Sequence, residues 1–438
     1  TMGIMMAPSI LGILTDVCGI IFIAIAPIQA MENHALFCGF WALWIIPTGV
    51  FLCSILLSYL PEPKNINEIV GGTSEPSGIH LLQERLLKAI SRLTHGKTAN
   101  KTAVVVALVG MIAVYLNTQI EMGNPVEGSN LLWHDSEFNT AVRAINAHFP
   151  GTNTLEIVFE AKVKNFETPT ARSQEVIDIS AKLQRLLEAD ENLPPRATLT
   201  FGDYVREVTR LFAGGNPKWR ELDLTDEKMA SVTFATLMGN DVLNFSHVSD
   251  YSFENSTVTS WYKDNKQETV DAALANAKRA VEAVGEDHPK FRIRLGTGVI
   301  ALQQAMNNTV EKYHWVIMGM VNLAVLLISA FAYRSFVAAF ILLIPVNLSN
   351  LLLGACIYML GIGLDINAGI VAVIGVGIGI DYGIYLLSRI CEEYGAQGQD
   401  LPKTITAALT TTGKAIMFTA TIMLIGILPW YFLSDLKF

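Results

Sequence analysis

Seven runs of mostly apolar residues, at about 5–29, 36–60, 102–118, 314–333, 336–358, 366–388 and 415–433, are each long enough to cross a bilayer. Hydrocarbon offers the backbone no hydrogen-bond partner, so a run of this kind pairs its own polar groups and becomes a helix. The apolar residues lie in long runs rather than in amphipathic periods, and make up 51% of the chain against 16% charged residues. The expected fold class is therefore a polytopic α-helical membrane protein.

The runs are unequally spaced, and the spacing predicts the organisation. Residues 1–60 read as two spans joined at a short polar turn, MENHAL (31–36). Residues 61–101 read as a cytoplasmic linker rich in Pro, Gly, Ser and Asn, followed by an amphipathic helix with Leu81, Leu82, Leu86, Ile90 and Leu93 on one side and Arg85, Lys88 and Arg92 among its polar positions. That helix suits either an anionic membrane surface or a solvated connector packed on the protein. A third span at 102–118 leads into a long polar block, 119–313, and four further spans occupy 314–438.

The block at 119–313 has an α/β pattern. TLEIVFEAKV alternates like a strand, the stretch from Thr170 to Asp190 has helical spacing, RATLTF is a short strand, and a helix from Gln267 leads into KFRIRLGT. This order predicts a ferredoxin-like unit with an insertion at 202–265 whose fold the sequence leaves open. The block carries 20 Lys and Arg against 28 Asp and Glu, which disfavours nucleic acid as a partner. Of the eleven basic residues elsewhere, ten fall in segments that alternate onto one side of the membrane; the positive-inside rule makes that side cytoplasmic and the block external. All five cysteines lie in or beside spans, so neither a disulfide framework nor a zinc spacing is present.

The chemistry is expected in the span INAGIVAVIGVGIGIDYGIYLLSRI (366–390), which carries Asp381 and Tyr382. An ionised Asp at the centre of a membrane helix costs about 2.5–3.5 kcal/mol on insertion scales, so it usually lines a polar path or changes protonation. Helical spacing puts Gly377, Asp381, Tyr385 and Ser388 on one stripe and Gly375, Gly379 and Gly383 on a small-residue seam nearly opposite. A dinucleotide-binding loop is the weaker reading, because the G-x-G-x-x-G spacing fails. A plain interhelical hydrogen bond at Asp381 is the other competing reading.

With GIGIDYGIYLLSR (377–389) as its most specific match, the chain resembles the resistance-nodulation-division superfamily, in particular its MMPL-type branch related to sterol-sensing-domain proteins. The segments 9–31 and 38–61 resemble the fifth and sixth spans of such a transporter, 102–118 the seventh, LLWHDSEFNTAVRAINAHFPGTNTLEIVFE the start of the second porter domain, and 314–433 spans eight to eleven. The resemblance implies a proton relay at Asp381 and Tyr382, a lipid-like or other hydrophobic or amphiphilic substrate, and a proton gradient as the energy source with no cofactor or metal. It also implies a bacterial inner membrane location, contact with membrane lipids, a homo-oligomer (dimer or trimer) and periplasmic partner proteins. Against the family pattern, spans one to four, the first porter domain and span twelve are missing, so the sequence is expected to be a piece of a longer protein.

Asp16, in the first span, is the other carboxylate well inside an apolar run and a candidate second relay member. Lys414, Thr419 and Thr421 are candidates for relay support, with Lys414 either snorkelling to the interface or approaching Asp381. Gly375, Gly377, Gly379 and Gly383 are the expected packing positions. Two rival functions stand beside transport: a non-transporting lipid-sensing or scaffold protein, and an enzyme in the external block. The second finds no Ser/His/Asp set, metal spacing or phosphate loop in the sequence.

Overall fold

The structure, a computed structural model, describes residues 2–61, 78–120, 122–125, 127–164, 169–220, 226–238 and 240–436. Of the expected linker at 61–101, residues 62–77 lie outside the described residues. The chain divides into two compact units: Thr1–Met122 with Asn308–Phe438, and Gly123–Asn307.

The first unit begins with α1 (Met2–Phe22) and α2 (Gln29–Ile45), which runs on through a π-helical stretch, Ile46–Leu52, into α3 (Cys53–Tyr59). The amphipathic α4 (Gly78–Leu93) and the apolar α5 (Gly96–Asn117) follow. The second unit contains α6 (Glu137–His148), β1 (Asn153–Ala161), α7 (Gln174–Glu188), β2 (Ala197–Leu199), α8 (Phe201–Phe212), α9 (Asp226–Leu237), β3 (Ser256–Tyr262), α10 (Gln267–Val284) and β4 (Phe291–Thr297). The chain then returns to the first unit through α11 (Val299–Tyr333), α12 (Phe336–Met359), α13 (Ile366–Ala396) and α14 (Leu401–Leu433).

Among the described residues, seven helices are long and apolar enough to span a membrane. Many of their large side chains face outward, such as Trp41, Phe51, Val104, Phe340 and Leu424, while small residues such as Ala35, Gly39 and Ala42 are buried. This is the pattern of helices solvated by lipid and packed through small residues. The protein is a multi-pass membrane protein.

Three of the departures of helix boundaries from the sequence expectation stand out. MENHAL is not a turn but the first part of α2; the break falls at Ala26–Ile28, because Pro27 has no N–H and holds Ala26 extended, at φ −71° and ψ 126°. The helix expected from 314 starts at Val299. The helix expected from 415 starts at Leu401, where the Asp400 side chain accepts from the Lys403 amide and Pro402 fits the first turn. In both of the last two cases the extra turns are polar, so hydropathy alone missed them.

The second unit has a four-stranded sheet in the order β2-β3-β1-β4, antiparallel throughout. With α7 and α10 as crossovers, this is the split βαβ arrangement the sequence predicted. Leu155, Ile157 and Phe159 point from β1 into a core with Leu183, Leu187, Val270, Phe291 and Ile293. The open stretch at 202–265 supplies β3, which pairs with β1 and β2 at the centre of the sheet, and a separate cluster around Phe201, Phe245 and Phe253.

Candidate functional site

The candidate site lies within the first unit, where α1 packs along α13. The register is antiparallel and can be read from four levels. The Tyr385 hydroxyl donates to Ser9 Oγ at 3.3 Å. One turn further along α13, the Asp381 carboxylate fills the place of the absent side chain of Gly12: a Cβ on Gly12 would overlap Asp381 Oδ1. At the next level the roles reverse, with Asp16 against Gly377, whose Cβ position lies 3.0 Å from Asp16 Oδ1 and 3.3 Å from its Cα. Gly19 then faces Gly377 and Val373 at 3.9 Å or more.

The arrangement follows from helical spacing. Ser9, Gly12, Asp16 and Gly19 recur at three and four residues along α1, while Gly377, Asp381 and Tyr385 recur every four along α13. Each carboxylate thus sits opposite a glycine, and two helices that carry acids on their facing stripes can still pack closely. Thr15, fully buried, returns its hydroxyl to the Gly12 carbonyl at 2.7 Å. Among the described residues, Oδ1 of Asp16 and Oδ1 of Asp381 are buried without a hydrogen-bond partner. Below the pair, Ser388 continues the polar stripe and meets the Tyr333 hydroxyl at 2.7 Å.

Asp16 and Asp381, nominated separately from the sequence, are therefore brought together. Tyr382 is not: one residue on, it is rotated by about 100° and points toward α14, where its hydroxyl lies 3.2 Å from Met423 Sδ. Thr419 and Thr421 are exposed and donate to the carbonyls of Ala415 and Met417 on their own helix. Lys414 makes no ion pair with Asp381 among the described residues, and its charge is felt at Glu84 on α4. The Lys88 hydrogen bond, then the Lys88 charge and the Lys414 charge, hold the exposed Glu84 carboxyl below its ordinary value.

The glycine seam also differs from expectation. A Cβ added at Gly375 or Gly379 would meet nothing within 4 Å, and of the three seam positions only Gly383 approaches a neighbour, with Leu342 Cδ2 2.9 Å from its Cβ position. Gly377, on the polar stripe, is the glycine that permits close helix approach. Sequence reading missed Ser9, Gly12 and the partner role of Tyr385; the available signal was the heptad-like spacing of Ser9, Gly12, Asp16 and Gly19.

These distances separate two glycines by consequence. Gly12→Ala is expected to push the Asp381 carboxylate out of its place and reduce activity as an Asp381 substitution does, whereas Gly19→Ala makes ordinary contacts and should be tolerated. Activity assays on the two variants at matched expression check this.

Elsewhere, α12 carries Asn347, whose amide donates to Asn322 Oδ1 on α11 at 2.7 Å, and Asn350, which meets Met318 Sδ at 3.8 Å. In the second unit, His247 pairs with the Tyr204 hydroxyl at 2.7 Å, and His288 stacks on Phe291. Among the described residues, no group of three His, Cys, Asp or Glu side chains is placed to hold a metal ion.

Residues 220–435 match the MMPL family. Protein MJ1562 of Methanocaldococcus jannaschii is 23% identical over 362 residues, covering 80% of this chain and 85% of that protein. The trehalose monomycolate exporter MmpL3 of Mycolicibacterium smegmatis is 37% identical over 60 residues, 14% of this chain and 6% of the exporter. Among solved structures, the hedgehog release protein Disp of the water bear Hypsibius dujardini aligns at 10% identity with a TM-score of 0.49, over 93% of this chain and 52% of that one. The chain thus spans about half the length of that protein.

Proposed function

We propose that this chain, whose residues 220–435 belong to the MMPL family, works in a transporter that uses a proton gradient to move hydrophobic or amphiphilic, lipid-like molecules. The observation that carries the reading is the pair of half-buried carboxylates, Asp16 and Asp381, each fitted against a glycine of the facing helix. Charge held inside a membrane bundle is costly, and proton binding removes it. A proton taken up at Asp381 relaxes the repulsion across the α1–α13 interface and changes how closely the two helices pack. Coupling then requires only that two packings bind the proton unequally.

The substrate class is supported by a short segment shared with a relative named as an exporter of trehalose monomycolate. The proposed setting is a bacterial inner membrane, with a homo-oligomer and periplasmic partners. Tyr382, turned toward α14, takes the part of a neighbour that reports on the packing of α13 rather than a direct proton carrier.

The test is movement of a labelled phospholipid by the full-length protein in proteoliposomes, with and without an imposed proton gradient. Gradient-dependent movement is the expected result. Lipid binding that ignores the gradient, without movement, would replace this reading with the lipid-sensing one.

A further inference from the structure

Helix α4 carries three strips of side chains with different fates. Leu87 and Ser91 are buried against α14: Leu87 Cδ2 lies 3.4 Å from the Cβ position of Gly413, and Ser91 Oγ is 2.7 Å from Thr406 Oγ1. Just past the helix, His95 Nε2 meets the Pro402 carbonyl at 3.1 Å, so α4 is fixed on the start of α14. On a second strip Leu82, Leu86, Ile90 and Leu93 are exposed, at 70%, 49%, 40% and 49%. Arg85, Lys88 and Arg92 form the third. Lys88 is paired with Glu84 at 2.7 Å, while the exposed guanidinium groups of Arg85 and Arg92 have no acidic partner among the described residues.

At Ile90 the apolar strip meets a cavity of about 440 Å³. Leu87 and Ile90 form one wall; Val346, Gly375, Gly379 and Tyr382 contribute to the others. Gly375 and Gly379 line it, and a Cβ added at either would meet nothing within 4 Å. Its walls offer few polar partners, which disfavours filling by ordered water.

We propose that α4 and this cavity form a binding site for an anionic phospholipid, with an acyl chain along the Leu82–Ile90 strip and into the cavity and the headgroup at Arg85 and Arg92. An amphipathic helix with four exposed large apolar residues belongs at the level where hydrocarbon meets headgroups. There the basic strip, about 100° around the helix from the apolar one, faces the headgroup layer, and its two unpaired guanidinium groups favour a phosphate that carries net negative charge. The site is fixed on α14 and bounded by α13, so its occupant touches the same helix that holds Asp381.

The test is retention of lipid by the purified full chain, measured by native mass spectrometry after equilibration with equal amounts of phosphatidylglycerol and phosphatidylcholine. Wild type is expected to retain phosphatidylglycerol roughly tenfold or more over phosphatidylcholine, since each basic side chain adds to anionic-lipid affinity. Arg85→Gln combined with Arg92→Gln should bring the two lipids to equal retention. Gly379→Leu and, independently, Gly375→Leu should expel the bound lipid, compared as monodisperse protein. Equal retention of both lipids by wild type, or unchanged phosphatidylglycerol retention in both leucine variants, would overturn the proposal. No gradient enters the assay, so its outcome is separate from that of the transport reading.

Discussion

Asp381→Asn is expected to insert and fold as wild type and to move no lipid above the protein-free background. Asn keeps the size of the carboxylate, so the fit against Gly12 survives. What it loses is the exchange between a charged and a neutral form, and with it any difference between two packings that a proton could select. Asp16→Asn should impair movement too, because the same interface loses one of its two charges. The measurement is lipid movement in proteoliposomes at matched protein density. Wild-type movement by Asp381→Asn would remove Asp381 from the mechanism and leave the carboxylate as a packing feature.

Phe159→Ala is expected to destabilise the Gly123–Asn307 unit by about 3–5 kcal/mol, the usual cost of deleting a buried aromatic ring. Phe159 is 1% exposed and its ring centroid lies 5.7 Å from that of Phe291 across the β1–β4 pair. The loss falls on the centre of the sheet, because β1 pairs with both β3 and β4. Hydrogen exchange on the full chain should show faster exchange at β1, β3 and β4 and unchanged exchange in α13. Equal acceleration in both units would mean that their stabilities are linked, contrary to two separate cores.

The membrane helices were legible because a bilayer imposes its thickness on sequence as runs of apolar residues, and the α/β unit because β1 alternates and α7 and α10 keep helical spacing. The polar helix ends were not: Gln29–Leu36 and Leu401–Lys414 carry residues that read as turns, and only Pro27 and the Asp400 cap mark where the helices begin. Strand β3 was obscured because Ser256, Val258, Thr259, Ser260 and Tyr262 are all buried, so the strand has no clean alternation of polar and apolar residues.

Of the candidate site, the two acids could be found from sequence, since a carboxylate in an apolar run stands out by itself. Their meeting could not. Gly12 and Asp381 are hundreds of residues apart, and a glycine reveals nothing about what fills the space beside it. For the same reason Gly375 and Gly379 read as a packing seam but border a cavity, whereas Gly377 makes the close contact. Tyr382 was nominated with Asp381 through the family resemblance of the Asp-Tyr pair, and consecutive positions on a helix point their side chains to different neighbours.

Uptake and release of a proton by Asp381 at the α1–α13 interface can be followed by infrared difference spectroscopy across a pH titration of the full-length protein. A carboxylic-acid carbonyl band that titrates in wild type and is absent in Asp381→Asn is the predicted result. Identical difference spectra for the two proteins across the titration would contradict it.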